Sequence, residues 1–177
     1  MARANETGGY AGPSEEVLAS QGAGGLVAGS TQLIRSVPDA ARAVTWRIYR
    51  YATSEYPACL EAVALTATSG DYLGYVGGCG PKDRLNTDPY YFTGWVQQPA
   101  GERAYLSFGV IPAARAALVE RIVWERVGSA DRMTDRAVEG VWAFVTDSSV
   151  DARVKLLDAA QNVSASHRIT PIQEAPR

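Results

Sequence analysis

The chain has 177 residues, enough for one domain with a substantial core, and its 17 basic and 19 acidic residues give a net charge of −2. Hydrophobic residues make up 46% of it and charged residues 20%, a globular composition unlike that of disordered chains. The charges are scattered without the basic block of a nucleic-acid-binding protein, and no apolar run approaches the ~20 residues of a transmembrane helix. We therefore expect no nucleic-acid partner and no transmembrane segment.

The first 37 residues differ in amino-acid composition from the rest of the chain. They are rich in Gly, Ala and Ser and contain few large apolar residues, which predicts a flexible or peripherally packed N-terminal arm over residues 1–37. A single β-rich domain is predicted over residues 38–168. The last residues, 169–177, hold Pro171 and Pro176 and are predicted to form a loose tail.

From Val44 onward, short segments rich in β-branched and aromatic residues alternate with turn signals. The predicted strands are 44–51, 60–68, 72–76, 90–97, 103–110, 118–127, 141–146, 153–157 and 163–166. Within residues 60–68, Val63 and Leu65 alternate with Ala62 and Ala64, the period of two that a half-buried strand requires. The pattern predicts a mainly β fold, an antiparallel β-sandwich or a barrel-like domain.

Two segments are harder to interpret. Residues 118–127 fit a helical apolar stripe through Leu118 and Ile122 and also fit one face of a strand, and we favour the strand. Residues 74–80 are glycine-rich but lack the Lys-Ser/Thr ending of a phosphate-binding loop. They predict a tight turn that needs positive φ angles.

Cys59 and Cys79 are the two cysteines of the chain. A disulfide between them would close a loop of about 20 residues and contribute about 3 kcal/mol in the chain-entropy model. The alternative is two unrelated thiols, one of them buried as a small apolar side chain. A bridge would indicate an extracytoplasmic location, and free thiols a cytoplasmic one or a place in an assembly.

The sequence contains no recognisable catalytic centre, metal site or cofactor motif. Its single histidine, His167, lies far along the chain from both cysteines, and a zinc site needs four ligands. The acidic residues Asp131 and Asp135, like Asp147 and Asp151, are typical of turns and solvent-exposed charges and do not indicate acid–base pairs. We therefore expect no catalytic residue, no metal and no cofactor.

The best binding candidate is an aromatic strand that contains Tyr90, Tyr91, Phe92 and Trp95. Alternation would direct these rings to both faces of the strand, so one face is a candidate binding surface. Exposed Tyr and Trp provide stacking area for sugars or partner proteins. The alternative interpretation is that the rings cover the core or an edge.

Three motifs follow one another in the second half of the chain: Phe-Gly-Val-Ile-Pro-Ala at 108–113, Asp-Arg-Ala-Val-Glu-Gly-Val-Trp-Ala-Phe-Val at 135–145, and Val-Lys-Leu-Leu-Asp-Ala-Ala-Gln-Asn-Val at 154–163. This order resembles small, uncharacterised β-sandwich-like domains of actinobacterial proteins, over about residues 46–166. The resemblance implies a β fold, a cysteine pair that precedes the first motif and so favours the disulfide, and, for many members, a place outside the membrane behind an anchor. This chain departs from the pattern by having Gln161-Asn162 where a Gly is usual, and by lacking the anchor.

These observations favour a non-enzymatic binding or structural domain, extracytoplasmic and associated with the cell envelope, that contacts a partner protein or assembles with itself. The alternative is a subunit of a larger assembly, such as a virion, tail or filament, whose arm orders on assembly. A small enzyme without a recognisable motif is the third hypothesis. Carbohydrate is a further candidate ligand.

Overall fold

The computed structural model describes residues 24–80, 90–148 and 150–170, and within them the chain is built almost entirely from antiparallel strands. The strands are β1 (Gln32–Asp39), β2 (Val44–Tyr51), β3 (Cys59–Thr66), β4 (Tyr72–Cys79), β5 (Tyr90–Gln97), β6 (Arg103–Val110), β7 (Arg121–Arg126), β8 (Arg132–Asp135), β9 (Val141–Thr146), β10 (Ala152–Leu157) and β11 (Val163–Ile169). A 3-10 turn (Ala40–Arg42) joins β1 to β2, and a short helix, α1 (Ala113–Ala116), follows β6. The predicted mainly β, antiparallel fold is confirmed.

The strands form three sheets that stack as layers. The front sheet has the order β1-β2-β3-β4, the middle sheet β5-β6-β9 and the back sheet β11-β10-β7-β8. Successive residues of β9 show the layering, because Val141 and Ala143 enter the core shared with the front sheet while Trp142 and Phe144 enter the core shared with the back sheet. The middle sheet is thus buried on both faces, which explains why its strands are dense in apolar residues.

The front core lies between the front and middle sheets and contains several of the largest buried side chains. Trp46 and Ile48 of β2 pack there against Leu106 and Phe108 of β6, and all four are fully buried. Burial of each such side chain contributes about 1.5–3 kcal/mol. The apolar packing of this layer is therefore a large part of the driving force for folding.

The front and middle sheets approach closely where β4 meets β5. Small and large residues face each other there, with Gly74 against Val96 and Gly94 against Val76. A Cβ atom on Gly94 would lie 2.4 Å from Cγ1 of Val76. The two strands can pack at this distance only because one member of each facing pair has no side chain.

The prediction of a tight turn over residues 74–80 is wrong, because the chain continues through Gly77 and Gly78 as strand β4. Gly77 is required by a close approach within the sheet, since a Cβ atom there would lie 2.2 Å from the carbonyl oxygen of Leu60. Its φ of 149° also falls in the region that favours glycine. The sequence signal was genuine, but its cause is strand packing rather than chain reversal.

At the other lateral edge, one carboxylate joins the three sheets. Asp135, the last residue of β8, accepts two hydrogen bonds from the Arg35 guanidinium of β1, at 2.7 Å and 3.2 Å. The same carboxylate accepts the backbone N–H of Ala143 in β9, at 2.9 Å. Arg35 also donates to the carbonyl of Val141, at 3.3 Å. The sequence suggested a turn for Asp135, but Asp135 ends strand β8 and holds β1, β8 and β9 together.

Several predicted boundaries shift. Residues 121–126 form strand β7, as favoured, and the helical alternative is wrong for them. Strand β1 crosses the boundary predicted at residue 38 and forms the edge of the front sheet, while residues 1–23 of the predicted arm lie outside the described residues. Strand β3 is buried on both faces rather than half-buried. Ile169, assigned to the tail, is buried at the end of β11, and residues 171–177 are outside the described part.

We predict that Gly94→Ala destabilises the protein by about 1–3 kcal/mol, because the added methyl group overlaps the side chain of Val76. In urea unfolding, adding Val76→Ala should cost less in the Gly94→Ala background than in the natural sequence, since it removes the overlapping atoms. Gly25→Ala is the matched control, as no heavy atom lies within 4 Å of its Cβ position. Equal effects at Gly25 and Gly94 would contradict the close strand packing.

Candidate functional site

The four aromatic residues singled out on β5 do not form one surface. Phe92 points into the front core and stacks on Phe108, with ring centroids 5.3 Å apart. Tyr91 and Trp95 lie on the opposite face of the strand and are half-buried. The side chain of Tyr90 lies outside the described part of the chain.

Tyr91 protects an edge of the back sheet. Its hydroxyl donates to the carbonyl of Arg168 at 3.0 Å, and Arg115 of α1 donates to the carbonyl of Ser164 at 2.8 Å. Both carbonyls belong to β11, an edge strand of the back sheet. Side chains that cap an edge reduce its tendency to pair with another chain, so the structural role of Tyr91 is clear.

The acidic residues considered for acid–base work are each held by an arginine from another part of the chain. Asp147 is bound by Arg42 at 3.1 Å, and Asp151 is bound by Arg168. The hydrogen bond from Arg168 lowers the pKa of Asp151. Asp147 and Asp151 are therefore each paired with an arginine.

Cys59 and Cys79 form a disulfide between β3 and β4. The two residues are direct partners in the antiparallel ladder, and their Cα atoms lie 4.1 Å apart. The bridge packs beside Tyr51, Leu26 and Tyr56 in a small cluster of its own. It closes the loop that contains the β3–β4 connection, and contributes about 3 kcal/mol in the chain-entropy model.

A cavity of about 340 Å³ opens at the same end of the molecule as the disulfide. Its walls come from the end of β2, the start of β3, the end of β6, helix α1 and the turn before β9. The lining residues are Arg50, Ala58, Cys59, Leu60, Val110, Ile111, Ala113, Ala116, Glu139 and Gly140. Eight of these ten residues carry no charged side chain, so the described part of the lining is mainly apolar and its charged side chains are Arg50 and Glu139.

The charged pair of the cavity is fixed by its neighbours. Arg50 donates to the backbone carbonyl of Glu139 at 3.0 Å, and the Glu139 carboxylate accepts from the Gln32 side chain at 3.0 Å. Glu139 itself has a φ of 49°, a left-handed conformation that is unfavourable for a residue with a side chain. Glu139 and Gly140 are the central residues of a tight turn closed by backbone hydrogen bonds between Val138 and Val141, and such a turn needs positive φ at both positions.

Sequence reasoning missed both charged residues of this cavity. Arg50 and Glu139 are 89 positions apart, and their contact depends on how the front sheet packs against the β8–β9 turn. The one visible signal was the Glu139-Gly140 pair, a turn motif directly before the apolar strand β9.

Among the residues that the structure describes, no group of three or more His, Cys, Asp or Glu side chains is placed to hold a metal ion. Within the same residues, no helix has the length and apolarity needed to cross a membrane.

Comparison with known proteins finds no matching family model, no similar curated protein and no similar solved structure. The resemblance to actinobacterial domains over residues 46–166 therefore stays a prediction. The fold and the cavity define the class of molecule directly: a three-layered, antiparallel β domain with a cross-strand disulfide and an apolar cavity beside it.

Proposed function

We propose that this protein is a non-enzymatic binding domain that takes a small, mainly apolar ligand in the cavity beside the disulfide. The observation that carries the proposal is the cavity itself. Its volume of about 340 Å³ lies within the range of roughly 300–1,000 Å³ that ligand sites occupy. Apolar walls with a few placed polar groups are the usual composition of such sites.

The lining of the cavity indicates the chemistry of its ligand. Leu60, Val110 and Ile111 offer aliphatic surface, which favours an apolar body through the hydrophobic effect. Arg50 uses one of its N–H groups on the Glu139 carbonyl, and a guanidinium has five. Its remaining donors suit a hydrogen-bond acceptor or an anionic group on the ligand.

The binding role, rather than catalysis, is supported by what the charged residues do. Glu139 accepts from Gln32, and Arg50 holds the backbone of the β8–β9 turn. Both therefore act in positioning the cavity wall. A ligand that enters this cavity is held by burial and one polar contact, which suits recognition by a sensor, carrier or envelope-associated domain.

We also propose an extracytoplasmic location, supported by the disulfide between the two cysteines of the chain. Structural disulfides persist in oxidising compartments and are rare in the cytosol.

Thiol alkylation of protein from its natural source tests that location. Neither Cys59 nor Cys79 should react before reduction, and both should react after it, as read from the intact mass. Alkylation of both thiols without reductant would contradict the proposed location and leave the cavity proposal standing.

The cavity is tested with anilinonaphthalene sulfonate, an apolar fluorophore that carries one anionic group. Ala116→Trp should abolish saturable binding because the indole occupies the cavity, and Arg50→Gln should weaken it by about tenfold through loss of a charged hydrogen bond. The measurement is a fluorescence titration under native conditions, with stability checked for each variant.

Ala114→Trp is the matched control, since Ala114 lies on the same exposed helix and does not line the cavity. It should bind the probe like the natural sequence. Binding that survives Ala116→Trp, or that is lost equally with Ala114→Trp, would show that the probe does not enter the cavity and would refute the proposal.

A further inference from the structure

The face of the middle sheet that packs against the back sheet changes from apolar to polar along its length. Near one end it is apolar, where Trp142 and Phe144 pack under the back sheet. Farther along it becomes polar, and the hydroxyls of Thr93 and Ser107 lie 3.0 Å apart across the β5–β6 ladder. The apolar core beneath the back sheet therefore gives way to polar contacts before the strands end.

An aromatic pair lies beyond this polar strip. Trp95 of β5 and Tyr105 of β6 are direct cross-strand partners, and both are half-buried. The guanidinium carbon of Arg103 lies 4.1 Å from the centroid of the Trp95 ring, a cation–π contact. This contact places Arg103 over Trp95, and Tyr105 is the aromatic residue that lines the neighbouring groove.

That groove is an open, polar depression of about 590 Å³ between the Tyr105 edge and the 3-10 turn. Its polar and aromatic lining consists of Arg42, Gln97, Glu102, Arg103, Tyr105 and Asp147. Among the described residues that line the groove, two side chains are positive and two are negative, so their charges balance. A balanced groove favours a neutral polar ligand over an anion or a cation.

Several of these side chains are held in place before any ligand binds. Arg42 forms ion pairs with the buried Asp39 and with the exposed Asp147, each at 3.1 Å. Burial lowers the pKa of Arg42, but the hydrogen bonds to Asp147 and Asp39 outweigh this and raise it above its usual value. Gln97 donates its amide to the Gly101 carbonyl at 3.0 Å. A preorganised site loses less entropy on binding.

Glu102 differs from its neighbours. It is exposed, and its carboxylate makes no hydrogen bond or ion pair with any other residue in the described part of the chain. Glu102 and Arg103 both line the groove, which therefore offers hydrogen-bond acceptors and donors, and a sugar with adjacent hydroxyl groups can satisfy both.

We propose that this groove binds a neutral oligosaccharide. The apolar face of a sugar ring stacks on Tyr105, while its hydroxyls donate to Glu102 and accept from Arg103. The open shape of the groove suits a segment of a chain rather than an enclosed monosaccharide.

This site is distinct from the apolar cavity. The groove lies at the start of β6 and the cavity at its end, and Tyr105 of the groove and Val110 of the cavity are separated along the strand by about 17 Å at about 3.3 Å per residue. The oligosaccharide proposal therefore does not depend on the proposed function.

The test is titration of the folded protein with four neutral probes, maltotriose, cellotriose, xylotriose and the N-acetylated chitotriose, followed by NMR chemical shifts and calorimetry. We expect saturable binding of at least one probe, with shifts centred on Tyr105 and Gln97. Glu102→Ala should weaken binding by about tenfold, because a charged hydrogen bond is lost at an exposed position that does not affect folding. Tyr105→Phe should retain binding and Tyr105→Ala should abolish it.

Tyr91→Ala is the matched control, as Tyr91 is also a half-buried ring on the same face of the middle sheet but lies opposite Gly109, toward the other end of β6. It should bind the sugar normally. The proposal is overturned if none of the four probes saturates, if binding survives both Tyr105→Ala and Glu102→Ala, or if an oligogalacturonate binds in preference to the neutral sugars. Binding of the fluorophore in the cavity should be unchanged by Glu102→Ala, so the two proposals fail independently.

Discussion

The three sheets of this domain meet at the carboxylate of Asp135. It accepts two hydrogen bonds from Arg35 and one from the backbone of Ala143, so it contacts the front, middle and back sheets at once. The Arg35 and Asp135 side chains are 16% and 15% exposed, and groups this poorly hydrated are costly to leave unpaired. Apolar packing drives the layers together but is not directional, whereas the hydrogen bonds of Asp135 fix which strands of the three sheets lie next to each other.

The position of Asp135 in the chain has consequences for the cavity. Four residues after Asp135 the chain reaches Glu139, whose backbone binds Arg50 and whose carboxylate binds Gln32. The turn that forms one wall of the cavity is therefore held at both ends. Asp135, at the end of β8, binds Arg35, and the carbonyl of Val141, the first residue of β9, accepts a hydrogen bond from the same arginine. The left-handed conformation of Glu139 belongs to the tight turn closed by the hydrogen bonds between Val138 and Val141. Fold closure and cavity formation depend on the same short segment.

Some elements were predictable because local sequence and tertiary environment agree. Val141–Thr146 was predicted with its observed bounds, since a dense apolar run suits a strand buried on both faces. Strand β8, Arg-Met-Thr-Asp, was not predicted, because a short polar segment has no apolar periodicity and is defined by its partner β7. The glycines of β4 were recognised but misassigned, since a glycine needed for close packing looks like a glycine needed for a turn.

The candidate sites were less predictable than the fold. The disulfide was one of two alternatives, because pairing depends on the β3–β4 register that brings Cys59 opposite Cys79. The aromatic strand was correctly seen as two-faced, yet the face of each ring depended on the layer against which it packs. Arg50 and Glu139 come together only in three dimensions, so no local pattern could reveal the cavity.

The central claim, that Asp135 and Arg35 act as one unit that joins the sheets, is tested by a double-mutant cycle. Arg35→Gln and Asp135→Asn are made singly and together, and the free energy of unfolding of each protein is measured in urea. The exposed pair Arg126 and Asp131, with side chains 37% and 58% exposed, is the control cycle and should couple by less than about 1 kcal/mol. We predict a coupling energy of about 1–3 kcal/mol between Arg35 and Asp135. Additive effects, with a coupling no larger than that of the control pair, would contradict the account.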